Sequence, residues 1–333
     1  MSASTNPKKP FVVARESGSS VEALHNAVVA IGNFDGVHRG HRAVIEAAMR
    51  RARALNRPAA ALTFEPPPRA FFMPNEPLFR LTDERNKLRL LAATGLDGAI
   101  VLDFNAALAA LTAEEFIARV LVERIAISGA AIGFNFHFGK ERRGSPQVLA
   151  AAGKQAGFAV DIVPALEDEG RPVSSGAIRS ALAAGRVVEA AELLGYPWFV
   201  TGKVIHGEKR GRALGYPTAN LALDPACGLK HGIYAVRVGI GGKRYDGVAS
   251  FGRRPTFDNG APLLEIFLFD FAGDLYGSEI DVAFIAWVRD EEKFDTVEEL
   301  IARMHDDSAR AREALKRAGD AFPPLTVIPA ERP

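Results

Sequence analysis

The chain has 333 residues, 48% of them hydrophobic, with 41 Lys plus Arg against 40 Asp plus Glu and a formal charge of +1. That length and composition supply two packed cores, while the even charge excludes a global field drawing the chain onto nucleic acid or an anionic membrane, so phosphate recognition has to be local. The single cysteine, Cys227, excludes an internal disulfide framework and a cysteine-built zinc cluster, and fits a reducing compartment.

Residues 1–20 are polar, place Lys8 and Lys9 between Pro7 and Pro10, and hold no apolar core of a secretion signal, so a flexible N-terminus without a cleaved leader is expected. Elsewhere charges or glycines interrupt every apolar run before the roughly 20 residues of a membrane-spanning helix. A soluble, cytoplasmic chain is the expectation, with neither membrane nor nucleic acid as partner. From residue 27 to about 195, short apolar runs alternate with amphipathic helical patterns, which predicts a parallel sheet covered by helices. The expected strands are 27–31, 59–64, 99–103, 130–134 and 158–163. Between the third and fourth, Thr112 and Glu115 stand at capping-box spacing ahead of Phe116, Ile117, Val120 and Leu121, which recur at helical intervals and bury one stripe.

The run Gly32-Asn33-Phe34-Asp35-Gly36-Val37-His38-Arg39-Gly40-His41 follows the first expected strand and opens the first helix. Gly32, Gly36 and Gly40 sit where the backbone turns sharply and permit close approach by a ligand. His38 and His41 are three apart, so both imidazoles share one face beside the N–H groups and positive dipole end of the helix. That is a phosphate site with two added donors; one histidine there would read as a cap, but two at this spacing favour function. Further on, Val173-Ser174-Ser175-Gly176-Ala177-Ile178-Arg179 precedes an Ala-rich helix, and taken alone Ser174 or Ser175 is an ordinary N-cap.

After Gly195-Tyr196-Pro197 the period becomes that of strands, at 233–238 and 243–249 around Gly239, Gly241 and Gly242, then at 263–269 and 280–287. A charged helix over 296–318 closes the chain, with Leu300, Ile301, Met304 and Ala311 as its inner face. The expected layout is α/β plus β: a flexible 1–20, a parallel-sheet domain over 21–195, and a small antiparallel β-barrel with a terminal α-helix over 196–325. At the start of the barrel, residues 202–220 read as a glycine-rich loop that gathers Lys203, Lys209, Arg210 and Arg212, suited to a polyphosphate but without Walker A spacing. Thr218 and Asn220 close it with oxygen donors of the type a hard Mg²⁺ accepts. Glu265 stands in an otherwise apolar strand, facing away from Leu264 and Ile266. By composition alone it is a solvated, outward residue.

His-x-Gly-His after a strand and a glycine turn resembles the nucleotidyltransferase superfamily, in which the histidines bind triphosphate and stabilise charge at the α-phosphorus. The whole chain resembles the bacterial bifunctional riboflavin kinase and FAD synthetase family. The matching stretches are 32–41, Leu62-Thr63-Phe64-Glu65-Pro66, Arg80-Leu81-Thr82, 132–139, 174–179 and Gly215-Tyr216-Pro217-Thr218-Ala219-Asn220, in family order over nearly the full length. The resemblance implies a Rossmann-like nucleotidyltransferase domain that adenylylates FMN to FAD with release of pyrophosphate. It also implies a C-terminal riboflavin kinase domain, an ATP:riboflavin 5'-phosphotransferase, that makes the FMN.

At the first site the resemblance implies ATP binding by Gly32, Asn33, Phe34, Asp35, Gly36, His38, His41, Ser174, Ser175 and Arg179, with Asn135 and Phe64 on the flavin side. At the second it implies ATP binding by Gly202, Lys203, His206, Gly207, Lys209, Gly211 and Thr218, Mg²⁺ on Thr218 and Asn220, and Glu265 as catalytic base. Arg253, Arg254, Pro255 and Thr256 resemble a segment for flavin contact or loop closure. The implied partners are riboflavin, FMN, FAD and ATP, with Mg²⁺ required for both steps. Arg253 departs from the family's common Thr-Arg-Pro form, and at the first site two positions depart: Pro67 stands where the family usually has His, and Gly176 where it usually has Thr. Those two leave open a monofunctional riboflavin kinase with a weakened N-terminal site. A non-catalytic flavin or nucleotide sensor is the alternative from another class, and the presence of His38, His41, Thr218, Asn220 and Glu265 weighs against it.

Overall fold

The computed structural model describes residues 10–15, 19–168, 170–206, 216–253 and 262–328. The chain divides into two compact units, one of Met1–Pro77, Thr82–Val173 and Leu325–Pro333, the other of Leu78–Leu81 and Ser174–Pro324.

In the first unit, strands β1 (Val12–Arg15), β2 (Val28–Ile31), β3 (Ala59–Glu65), β4 (Gly98–Asp103), β5 (Gly129–Gly133) and β6 (Ala159–Val163) form one sheet. All pairs are parallel, in the order β1-β4-β3-β2-β5-β6. Strands β2 to β5 are buried almost throughout, as apolar runs covered on both faces must be. The helices are α1 (Arg39–Leu55), α2 (Pro68–Phe72), α3 (Glu84–Ala93), α4 (Ala106–Ala110), α5 (Ala113–Glu115) and α6 (Pro146–Ala156). Helix α5 starts at the expected Thr112–Glu115 capping box, with both reciprocal bonds made, and continues as a π-helix over Phe116–Arg124. Phe116, Ile117, Val120 and Leu121 are all buried there.

The flexible terminus expected over 1–20 is corrected in part: Val12–Arg15 is a strand, with Val12 opposite Gly98. Its apolar run is too short to stand out from polar neighbours, and only the edge of β4 gives it a place. From β2 the chain leads outward to β3 and β4, then returns to the other side of β2 with β5. The crevice beyond the carboxyl ends of β2 and β5 is thus the topological switch point, where open α/β sheets bind ligands.

A two-residue hairpin, β7 (Glu167–Asp168) with β8 (Arg171–Pro172), precedes the second unit. That unit begins with α7 (Ser175–Ala183) and α8 (Val187–Leu194). The unit boundary at Val173 and Ser174 therefore precedes the change of period at residue 195; helical period shows that a segment is a helix, not which sheet it covers. Six antiparallel strands follow: β9 (Phe199–Lys203), β10 (Thr218–Ala222), β11 (Gly232–Ile240), β12 (Lys243–Arg253), β13 (Pro262–Leu268) and β14 (Glu279–Arg289). Their order is β10-β13-β12-β11-β14-β9, and a bridge from Ile205 to Asn220 brings the two edges together into a near-barrel. The expected loop over 202–220 is corrected at both ends, which are strands in the ladder with β14 and β13. Trp198, Tyr234, Phe251 and Phe284 fill the interior.

The terminal helix α9 (Val297–Arg317) buries Asp307, Ala311 and Leu315, whereas Leu300, Ile301 and Met304 are only half-buried. The packed stripe thus lies in the later half of the helix and includes an acid. Asp307 is held by Arg289 in a bidentate pair (2.8 and 2.7 Å), with 5% and 9% of the two side chains exposed. Arg237, also buried, pairs with Asp246 and donates to the carbonyls of Leu315, Gly319 and Ala321, fixing the helix C-terminus to the barrel. Asp307→Ala is expected to destabilise the fold by about 3 kcal/mol in urea unfolding, because it leaves Arg289 buried without its main partner. The double variant Asp307→Leu with Arg289→Met should recover most of that loss.

Candidate functional site

The first cluster lies where β2 ends. The Gly32 N–H still donates to the Leu62 carbonyl (3.1 Å), so the turn starts on the sheet. Phe34, Gly36 and Val37 then adopt φ of 50°, 84° and 38°, which costs a non-glycine residue about 1–2 kcal/mol. His38 caps α1, its Nδ1 accepting the His41 backbone N–H (3.2 Å), and its ring occupies the space beside Gly40, where a Cβ would meet it at 3.2 Å. One of the N–H groups expected to face a phosphate is therefore taken by His38, which is itself buried. Because Nδ1 accepts, the ring proton belongs on Nε2.

His41 stacks on His38 with centroids 3.6 Å apart and planes 18° apart, and the edge of Phe34 meets it at 5.3 Å. Burial above all, then repulsion from His38 when it is protonated and from Lys87, holds the His41 imidazole well below its ordinary pKa of 6.5. His41 is thus a neutral donor near neutral pH, and its buried Nδ1 has no hydrogen-bond partner among the described residues. Asn135 is exposed just past the end of β5, at the other side of the switch point, beside the stacked rings of Phe136 and Phe138. Phe64, expected on the flavin side, is 7% exposed within the core. It backs Phe104 edge-on at 6.0 Å, and Phe104 in turn meets Phe71 and Phe72.

Three features of this region were not legible as functional. Asp35 accepts the backbone N–H of Thr82 (3.0 Å), and the Gly36 N–H donates to the Thr82 hydroxyl (3.1 Å). Thr63 donates its hydroxyl to the Asn33 carbonyl (3.3 Å). Lys87, buried on α3, pairs with Glu65. The only sequence signal for Lys87 was its position on the stripe Lys87, Leu90 and Leu91, where an apolar residue is the norm. Pro67 is the N-cap of α2 and makes no side-chain cap bond.

Ser174, Ser175 and Arg179 belong to the second unit. Ser174 caps α7 through the Ala177 N–H (3.2 Å), and Arg179 donates to the Phe79 carbonyl (2.6 Å). Gly176 has open space around it: a Cβ there would touch only the Ser174 hydroxyl oxygen, at 3.7 Å.

The second cluster lies on the barrel wall. Strand register sets Asn220 directly opposite Glu265 and Thr218 opposite Phe267. It also sets Ser250 opposite Glu265 on the other side, a neighbour that sequence reasoning missed because only pairing reveals it. Directly opposed side chains share a face, so Asn220, Glu265 and Ser250 form a polar row across three strands. Asn220 is 3% exposed, its Nδ2 donates to the Thr218 carbonyl (3.4 Å), and its Oδ1 is buried with no hydrogen-bond partner among the described residues. An orphaned amide oxygen beside a threonine and a carboxylate fits a hard cation.

The Ile205 N–H donates to the Asn220 carbonyl (2.9 Å), so the chain just after β9 bridges to this row. Gly202 is a strand residue whose vacant Cβ position faces the Leu221 side chain at 2.8 Å. Lys203 ends β9 exposed, and His206 lies on the Tyr276 ring at 3.9 Å. Tyr216 shares a hydrogen bond with Nδ1 of His305 on α9 (2.9 Å). Gly207, Lys209, Arg210, Gly211 and Arg212 lie outside the described residues, as do Arg254, Pro255 and Thr256. Arg253 donates to the Pro225 carbonyl (3.0 Å).

A sequence profile of the FAD synthetase family matches residues 20–177, and one of the riboflavin kinase family matches residues 194–315. The chain is 40% identical over 302 residues to the bifunctional riboflavin kinase/FMN adenylyltransferase of Escherichia coli (strain K12), covering 88% of this chain and 96% of that protein. It is 38% identical over 300 residues to the protein of the same description from Haemophilus influenzae, covering 88% and 97%. Among solved structures it resembles a crystal structure described as a macrolide-efflux protein from Streptococcus pneumoniae, with a TM-score of 0.81, 33% identity, and 91% and 99% of the two chains covered. Among the described residues no helix is long and apolar enough to cross a membrane.

Proposed function

The chain belongs to the bifunctional riboflavin kinase/FMN adenylyltransferase family, and from that premise we propose how its two clusters divide the work. It phosphorylates riboflavin to FMN and adenylylates FMN to FAD, using ATP in both steps. We assign adenylylation to residues 21–195 and phosphorylation to residues 196–325. The observation that carries this division is that the stacked histidines lie in one compact unit, at a switch point, while the Asn220–Glu265 row lies in the other.

In adenylylation a phosphate oxygen of FMN attacks the α-phosphorus of ATP. The bond from that phosphorus to the bridging oxygen breaks, and pyrophosphate leaves with the electron pair. No protein nucleophile is needed. His38 and His41 donate ring N–H groups to phosphate oxygens and stabilise the charge that develops in transfer. Gly32 to Gly36 bring backbone close to the triphosphate, and Asn135 contacts the flavin.

In phosphorylation the ribityl 5'-hydroxyl oxygen attacks the γ-phosphorus, and ADP leaves. Glu265 accepts the hydroxyl proton. The Thr218 hydroxyl and Asn220 amide oxygen would hold Mg²⁺, which when bound neutralises phosphate charge. Lys203 and His206, at the end of β9, and the segment through Gly211 bind the phosphates. The free Cys227 fits a reducing compartment, and we place both reactions in the cytoplasm.

The test is a chromatographic time course of the purified chain with riboflavin, ATP and Mg²⁺. FMN should rise first and FAD should follow at its expense. FMN that accumulates without FAD makes the chain a monofunctional kinase, and the absence of both makes it a binder. The open space at Gly176 supports reading the difference from threonine there as a missing side chain and not a blocked one.

A further inference from the structure

Lys87 is a lysine spent where an apolar residue would pack. Its side chain is 2% exposed, and its ammonium lies 2.6 Å from the Glu65 carboxylate, itself 11% exposed. It also donates to the Thr63 hydroxyl oxygen (3.2 Å) and the Phe64 carbonyl (3.4 Å). One ammonium thus binds three successive residues at the carboxyl end of β3. Burying such a pair costs several kcal/mol, and a well-packed apolar replacement is often as stable or more so. Stability alone therefore gives little reason for it.

What the pair touches supplies a reason. Thr63 is fully buried, and with one lone pair taken by Lys87 its hydroxyl hydrogen is directed to the Asn33 carbonyl, 3.3 Å away. Asn33 opens the turn in which Phe34 and Val37 hold positive φ. Strained residues of this kind persist only where the surroundings over-determine them. A second strut, from Thr82 to Asp35 and Gly36, acts on the same turn from the residue preceding the Asp83 cap of α3, the helix that carries Lys87. The turn leads directly into His38 and His41.

We propose that Lys87, through Glu65 and Thr63, is a positioning residue of the adenylyl-transfer site, holding the strained turn so that the stacked histidines meet the triphosphate. This rests on the adenylylation reading of that turn. The relay Glu65–Lys87–Thr63–Asn33 fixes a backbone, and no member of it is required to touch a substrate. The ammonium also adds to the positive potential at His41.

The experiment uses the full chain in four forms: wild type, Lys87→Met, the double variant Lys87→Met with Glu65→Gln, and Thr63→Val. Steady-state FMN adenylylation is measured with ATP varied, riboflavin phosphorylation by the same samples reports an intact second site, and thermal unfolding reports stability. The double variant, which leaves no unpaired buried charge, should unfold near the wild-type temperature. Its kcat for FAD formation should stay about a hundredfold low, the penalty of a small misplacement. Its KM for ATP should move by no more than about threefold, since a loss confined to the transition state appears in kcat.

Thr63→Val keeps the core volume and breaks the same relay, so it should lower kcat in the same direction even if the charge variants fold poorly. A stable double variant or a Thr63→Val variant with wild-type kcat would make the pair structural only and overturn the proposal. Wild type that forms no FAD from supplied FMN would overturn the adenylylation reading itself, and the proposal with it.

Discussion

Glu265→Gln should lower FMN formation from riboflavin by about 10²–10⁴-fold, the usual contribution of a positioned general base, while conversion of supplied FMN to FAD stays at the wild-type rate. The substitution keeps shape and one oxygen but removes the proton acceptor. Its neighbours make the prediction specific, because Glu265 is flanked across the sheet by Asn220 and Ser250 rather than by the apolar residues of the opposite face. Leu264, Ile266 and Leu268 point into the core and are buried, whereas Glu265 is half-buried. The variant should therefore fold, and unchanged FAD synthesis from FMN on the same molecules checks that it does. Glu265→Gln with undiminished phosphorylation would remove the base role and leave Glu265 as a solvated strand residue.

His41→Ala should leave FMN as the end product, with FAD formation lowered by about 10²–10³-fold in kcat, the cost of removing one donor to developing charge. His41 suits this measurement better than His38, since His38 also caps α1 and its loss would cost about 1 kcal/mol of helix stability besides. A pH dependence accompanies it. His41 has a folded-state pKa depressed below its ordinary 6.5, chiefly by burial. The unfolded chain therefore binds this proton more readily than the folded one. The stability His41 contributes is fully present above pH 6.5 and is lost as pH falls toward the depressed value. Wild type should lose unfolding free energy below pH 6.5, and His41→Ala should lose less of it over the same interval. Identical acid limbs for the two proteins would show that His41 is not held neutral by the fold.

The two sites were unequally legible. The histidine turn announced itself, because glycine at positions 32, 36 and 40 and histidine at 38 and 41 restrict backbone and chemistry within ten consecutive residues. Glu265, the base we propose for the kinase, was legible only as one acid in an apolar strand. The neighbours proposed to hold the cation are 45 or more positions away along the chain, and register alone brings Asn220 opposite Glu265. The first-site struts were hidden for the same reason: Thr63, Thr82 and Lys87 act on Asn33, Asp35 and Gly36 from other elements. The expected inner face of α9 was displaced because a helical stripe can be completed by an acid when an arginine on a neighbouring strand, here Arg289, faces it.

By itself the sequence determined the class of each unit, five of the six strands of the parallel sheet to within a residue or two, and the Thr112 capping box. These are properties of local periodicity and residue type, and they are decided by steric preference and by the solvation of short segments. Only the tertiary structure decided that Val12–Arg15 is a strand, that α7 and α8 group with the barrel, that His38 spends Nδ1 on a cap, and that Lys87 is buried against Glu65. Each of these depends on a partner distant in sequence. The free energy of pairing or of burying charge belongs to the contact, and neither residue's own neighbourhood in the chain records it.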